Sequence, residues 1–488
     1  MKNLIASIAL ICSLVATGIV DAQENRTQNT RVRQSRPKVG VPTRRDGQPV
    51  ARSKVTSASH TEVVHGGVIH EGPIVHEGQI IHDGVVSSGC SSCGGGCEGG
   101  CDTGCDSCSV TPSCDTCAAP RGFCICFPAH GWVHAEYLMW YASGMDVPPL
   151  VTTSSDPTLS GVLNQPTASI LFGGNEDILN GQRNGFRIRF GWWLSSFPKW
   201  GIEGEYVGLG EDTETFFRQS TGDPILSRPI FDANVGRDAV ERVAFPGDVT
   251  GSIGINVNSE FDGAAFRFRR QLFGTEGCGF SNLRGIAVPY SSRFDVTLGY
   301  RFWELDESIV IREQLQKIST PTGSFDITDH FATRNQFNGG ELGFIWQGRR
   351  GWWSVDALMR LGIGNVHQTV NISGSTQTVT GGVTSNFNSG ILALDSNIGT
   401  YDRDQFTMIP ELGLTVGYQL TKRLRATMGY SAIYWGNVVR PGQQIDLDVN
   451  PNLFRAQGTV TGPNRPVFNF VETDFLVHGL SFGAEFRW

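Results

Sequence analysis

The sequence predicts an all-β protein: a closed antiparallel transmembrane β-barrel of about twelve strands (range roughly 10–14), preceded by a signal peptide and a disordered Cys-rich extension. Three observations predict it. Apolar and polar residues alternate in runs of about ten, the length of a tilted membrane strand. Short turns join some runs and long polar stretches join others. The last run alternates to the final residue and ends on an aromatic.

Composition divides the chain of 488 residues into two materials. Residues 1–122 contain no Phe, Tyr or Trp, so every aromatic lies beyond them. Net charge is −8, which does not favour a nucleic-acid partner. Past residue 22 no stretch approaches the ~18 apolar residues of a spanning helix.

Residues 1–22 read as a secretory signal, with Lys2 ahead of an apolar core and cleavage placed before Gln23. Residues 23–89 hold a basic segment and a short repeat. The basic part sets nine Lys and Arg against Glu24 and Asp46, has no apolar period and is expected to be disordered. The repeat places His65, His70, His76 and His82 at steps of five and six, three of them followed by an acid and Gly. Branched residues ahead of each His suggest short strand-and-turn units; Zn²⁺ binding is the sharper reading, and because the repeat leaves ligand geometry unspecified no metal ligand is assigned.

Residues 90–126 carry Cys90, Cys93, Cys97, Cys101, Cys105, Cys108, Cys114, Cys117, Cys124 and Cys126 among Gly, Ser and Asp. In an exported chain these predict disulfides rather than zinc. With Cys278 the mature chain has an odd number, so at least one is free or joined to another molecule. Disulfides to cell-wall or envelope proteins are the partner reading that follows.

Residues 127–488 form the barrel. Strands are expected at about 131–142, 184–195, 200–210, 249–257, 260–271, 292–303, 307–317, 336–347, 351–363, 405–419, 423–435 and 474–488. Tight turns are expected at 195–199, 304–306, 347–350 and 421–422, and long external loops at 143–184, 211–248, 364–404 and 436–473. An even strand number then puts the short turns and both termini on the periplasmic side. Trp140, Trp192, Trp193, Trp200, Trp352, Trp353 and Trp435 fall near strand ends and are expected in the interfacial girdles. The last strand, with Phe486 and the terminal Trp488, resembles the sorting signal of outer-membrane barrels. The expected partners are therefore outer-membrane lipid and the barrel-assembly machinery.

One block is more specific than barrel grammar. Ala135-Glu136-Tyr137-Leu138-Met139-Trp140-Tyr141, the following Val147-Pro148-Pro149-Leu150, and Gly161-Val162-Leu163, Leu171-Phe172-Gly173-Gly174 and Gly185-Phe186-Arg187 resemble a β-barrel porin family of planctomycete bacteria. The resemblance covers roughly 130–488. It implies an outer-membrane barrel with pore function, and it leaves the N-terminal extension outside.

No catalytic residue, cofactor or enzyme activity is expected. The barrel part holds His130, His134, His330, His367 and His478, none in a nucleophile motif, and no Walker loop or dinucleotide fingerprint occurs. His134 and Glu136, two apart, share a strand face as an inward polar pair. Polar residues expected to face the lumen are Glu136, Arg187, Arg189, Glu203, Glu205, Asp295, Arg301, Asp356 and Arg360. The sequence leaves two functions open: passive diffusion of small hydrophilic solutes, or a structural envelope protein anchored by its barrel and cross-linked through its cysteines. It leaves oligomeric state open too.

Overall fold

The computed structural model describes residues 130–174, 177–280, 287–454 and 460–488. The signal peptide, the basic segment with its repeat, and the ten cysteines of 90–126 lie outside the described residues. The strands are β1 Gly131–Ala142, β2 Val151–Ser154, β3 Ala168–Phe172, β4 Gln182–Leu194, β5 Phe197–Ser220, β6 Leu226–Asp232, β7 Arg237–Ala244 and β8 Val249–Phe280. They continue with β9 Ala287–Lys317, β10 Gly323–Arg350, β11 Trp353–Thr380, β12 Val383–Phe387, β13 Gly399–Gln419, β14 Leu424–Val439, β15 Asp448–Val449 and β16 Glu472–Arg487.

Ten of these form one antiparallel ring, in the order β1-β4-β5-β8-β9-β10-β11-β13-β14-β16. β16 pairs with β14 on one side and with β1 on the other, from Trp132↔Arg487 to Ala142↔Val477, so the pairing closes on itself. Closure gives each of the ten strands a partner on both sides, as a sheet in lipid requires. A small second sheet, β15-β6-β2-β3 with β7 on β6, is built from two of the long connections and from the segment after β14.

The ring has ten strands, not twelve. The expected pairs 249–257 with 260–271, and 292–303 with 307–317, are each one continuous strand, β8 and β9. The turn expected at 304–306 is ladder, with Glu304↔Asp262 and Asp306↔Glu260. The cause is a change of surroundings along the strand. In β9 the even residues Phe294, Val296, Leu298, Tyr300 and Phe302 point out, with Leu298 63% exposed. From Trp303 onward the odd residues Trp303, Leu305, Ile309 and Ile311 are apolar and buried, while Glu304, Asp306 and Arg312 point out. In β8, Ile253, Ile255, Val257 and Phe261 are buried and odd, while Phe266 and Phe268 are exposed and even. The apolar face swaps sides with no inserted residue, and in sequence that swap looks like a break.

The swap marks where the strand leaves the membrane. Below it the outside is apolar and the inside polar; above it the reverse. The outward apolar belt runs from Phe294 to Phe302 in β9 and from Phe406 to Tyr418 in β13, about 27 to 41 Å along the strands. Strand tilt reduces this toward the ~25 Å belt of membrane barrels. Above the belt β8 to β11 continue as a sheet, so much of 211–248 and 364–404, expected as loop, is strand.

Short connections at 195–196, 351–352 and 420–423 lie at the same end as residues 130 and 488, whereas the long connections lie at the other end. At the terminus end Trp200, Trp352 and Trp353 are exposed, as a girdle requires. Trp140, Trp193 and Trp435 are not in a girdle: Trp140 and Trp435 are 0% exposed inside the ring, and Trp193 turns inward beneath Arg269 and Arg293.

Candidate functional site

The interior is built in three layers, each dictated by what its strands place inward. The lowest is charged. All nine residues expected to face the lumen point into the ring. Arg187 donates from Nε to Glu136 Oε2 at 2.6 Å, and Arg189 Nη2 reaches the same oxygen at 2.8 Å. Arg360 bridges Glu203 and Glu205 at 2.9 Å each. Arg301 pairs with Glu341 and, at 2.9 Å, with Glu411. Arg267 binds Glu203 and Glu205 at 3.0 Å each and also Glu341. Asp295 and Asp356 sit nearer the terminus end, paired with Arg269 and Arg425.

Arg267, Arg269, Glu341, Glu411, Arg425 and Glu485 belong to this network and were not singled out in the sequence. Their signal was present: each sits on the polar side of an alternating run. The central set balances, with Arg187, Arg189, Arg267, Arg301 and Arg360 against Glu136, Glu203, Glu205, Glu341 and Glu411. A buried charge is tolerated when paired and hydrogen-bonded, and this layer meets that condition across eight strands.

His134 and Glu136 do share the inner face. Arg189 Nη2 lies 2.8 Å from His134 Nδ1, so that nitrogen must accept. Nε2 then carries the proton and donates to Thr427 Oγ1 at 2.8 Å. A histidine holding that tautomer cannot take the Thr427 proton, so the pair lacks the geometry of a base and its nucleophile.

The second layer is aromatic. Trp140, Trp303, Trp435, Phe261, Phe337 and Phe475 are at most 2% exposed and meet across the ring. Phe261 stacks on Trp303 with ring centres 4.9 Å apart and tilts against Phe475 at 5.2 Å. Gly263, opposite Trp303 in the ladder, makes room for the indole, which a Cβ there would strike. Gly263→Ala should therefore cost about 1–3 kcal/mol through overpacking, read as a lowered urea midpoint of the refolded protein.

The third layer is the β11–β13 connection, folded inward. Ile391, Leu392, Ala393 and Leu394 are at most 1% exposed, packed against Ile253, Ile309, Phe331 and Val370. Asp329 Oδ1 accepts the backbone N–H groups of Ile391, Leu392 and Ala393 at 3.0, 3.0 and 2.8 Å. Asp329 Oδ2 meets Arg228 at 2.7 Å, and Arg228 also binds Glu313. Burial opposes the Arg228 charge, but Asp329 and Glu313 outweigh it and hold the guanidinium well above its ordinary pKa. Asp329→Ala orphans three N–H groups and leaves buried Arg228 with Glu313 alone. It should cost about 3 kcal/mol and speed proteolytic cleavage within 381–398 at least about tenfold. Unchanged cleavage would show that the loop is held by packing alone.

Above the belt, burial lowers the pKa of His330 from its usual value. The folded protein keeps the neutral ring while the unfolded chain binds a proton near pH 6.5. Stability present above that pH is lost as pH falls through the folded pKa. His330→Gln should flatten the change in urea midpoint between pH 7 and 5.

Phe486 is exposed on the outer face, 41%, with its ring stacked on Trp488 at 5.9 Å. Trp488 closes the ring through its N–H to Gly131 O at 3.1 Å.

Residues 132–488 match the family model described as "Putative beta barrel porin-7". Among solved structures, the outer membrane protease OmpT from Escherichia coli is similar at 8% identity and TM-score 0.36, over 74% of this chain and 97% of that one. The P. putida toluene transporter TodX is similar at 8% identity and TM-score 0.18, over 74% and 90%. At these scores neither likeness bears on function. No curated protein matches the chain in sequence. The family match over 132–488, together with a ring of ten strands that wears its apolar belt outside, makes this chain an outer-membrane barrel belonging to the β-barrel porin-7 family.

Proposed function

We propose that this barrel is an occluded anchor of the envelope rather than a passive pore. The observation that carries the reading is the aromatic layer: Trp140, Trp303 and Trp435 fill the ring between a charged layer and an infolded loop. A diffusion channel for hydrophilic solutes needs a wetted path. A ring of ten strands is near the size that side chains fill.

The chain's cargo is then its extension. An outer-membrane barrel with an even strand number has its termini on the periplasmic side, where a basic segment and ten cysteines can join wall polymers and neighbouring proteins. Refolded full-length protein in planar bilayers should give no stepwise conductance; steps at millivolt potentials would overturn the reading. Envelope extracts should show multimers without thiol that collapse to monomer with it, and a band unchanged by thiol would remove the cross-linking half.

A further inference from the structure

The terminus end of the barrel holds a cavity of about 280 Å³ that the anchor reading does not use. Its walls include Trp132, Trp193 and Trp488 with Arg189, Arg293 and Arg425. A second hollow of about 390 Å³ shares Arg293, Arg425 and Arg487 with it and adds Arg349. We propose that this vestibule binds a sugar-sized anion, one carrying a carboxylate or phosphate group.

Charge is the first support. The central layer balances, but the vestibule does not. Arg269, Arg293, Arg349, Arg425 and Arg487 face Asp295, Asp356, Glu485 and the exposed Glu276. The nearby turns add Lys199, Arg350, Lys422 and Arg423 and no described acid. A cleft with low-dielectric walls and an excess of one sign concentrates the opposite ion.

Unmet hydrogen bonds are the second. Buried Nε of Arg189, Nη2 of Arg293 and Nε of Arg425 have no protein acceptor, and Asp356 Oδ1 has no donor. Arg293 spends Nε on Asp295 at 2.7 Å and lies 3.7 Å over the Trp193 ring, which fixes its plane and leaves Nη2 without an acceptor. A planar fork with open donors suits the paired oxygens of a carboxylate or phosphate, and Asp356 suits a hydroxyl. Trp132 and Trp488 add indole surface to the wall, which suits the apolar side of a sugar ring. The volume lies near the low end of small-ligand sites, about 300–1,000 Å³.

Binding is tested on the refolded full chain in micelles, by Trp fluorescence and calorimetry, with glucuronate, glucose 6-phosphate and glucose as probes. At least one charged probe should bind about tenfold or more tightly than glucose and weaken with added salt. The tighter of the two names the acid group. Arg293→Gln should weaken that probe about tenfold, while Arg312→Gln on the outer face should not change it. Heat-modifiable migration on gels checks that each variant is folded. Equal binding of glucose, no binding by a folded barrel, or full affinity in Arg293→Gln overturns the proposal. Conductance is a separate readout, so the failure of this site and the failure of the anchor reading are distinguishable.

Discussion

Arg267→Met will destabilise the barrel by about 3–5 kcal/mol, the usual cost of removing one partner from a buried ion network. Arg267 is fully buried and holds Glu203, Glu205 and Glu341 together. Without it these carboxylates keep Arg269, Arg301 and Arg360, but the central set carries one negative charge too many. The urea midpoint of protein refolded into lipid vesicles, followed by Trp fluorescence, measures the loss. Adding Glu341→Gln to Arg267→Met restores the balance and should return about 1–3 kcal/mol as coupling between the two sites. The experiment also decides how wet the layer is. Carboxylates bathed in lumen water would lose little when Arg267 goes, and a change below ~0.5 kcal/mol would mean that this layer is hydrated and not packed.

The β character, the ring and most of its lower strands were legible because a membrane strand has a simple grammar. Phe186, Ile188 and Phe190 face lipid while Arg187 and Arg189 face in, and nothing else explains arginine at every second position beside phenylalanine. The charged interior was equally legible, since Glu341 and Glu411 obey the same rule as Glu136. What failed was the assumption that a strand keeps one surrounding. In β8 and β9 the apolar residues change from odd to even positions, or the reverse, as the strand leaves the belt. A single-phase reading breaks each of them in two. Three of the tryptophans placed in a girdle failed for a related reason, Trp193 at the terminus end and two at the other. Trp140 and Trp435 lie near the upper edge of the belt, where a girdle belongs, but on the inner side of the strand. Height along a strand can be read from distance to the turn. Side can be read only from parity, and parity changes its meaning at that height. Asp329, which holds the infolded loop, and Arg228, which holds Asp329, were illegible because Asp329's partners are backbone N–H groups of a connection with no periodic signal.

Trp303→Ala and Trp353→Ala, two substitutions identical on paper, should differ by several kcal/mol. Trp353 is 59% exposed on the outer face at the terminus end, where truncation costs some lipid contact and about 1 kcal/mol. Trp303 is 2% exposed, stacked on Phe261 and seated over Gly263. Its removal takes away a large buried surface and leaves a cavity that a β-ring, held open by its own ladder, cannot collapse to fill. About 3–5 kcal/mol is expected. The conductance of Trp303→Ala should nevertheless stay at zero, because the charged layer below and the Asp329-held loop above still close the path. The two measurements together separate packing from gating. Equal losses at positions 303 and 353 would mean that water already reaches Trp303. A pore opened by Trp303→Ala alone would mean that the aromatic layer is the whole barrier. Loss of stability without conductance is the outcome that three stacked layers require.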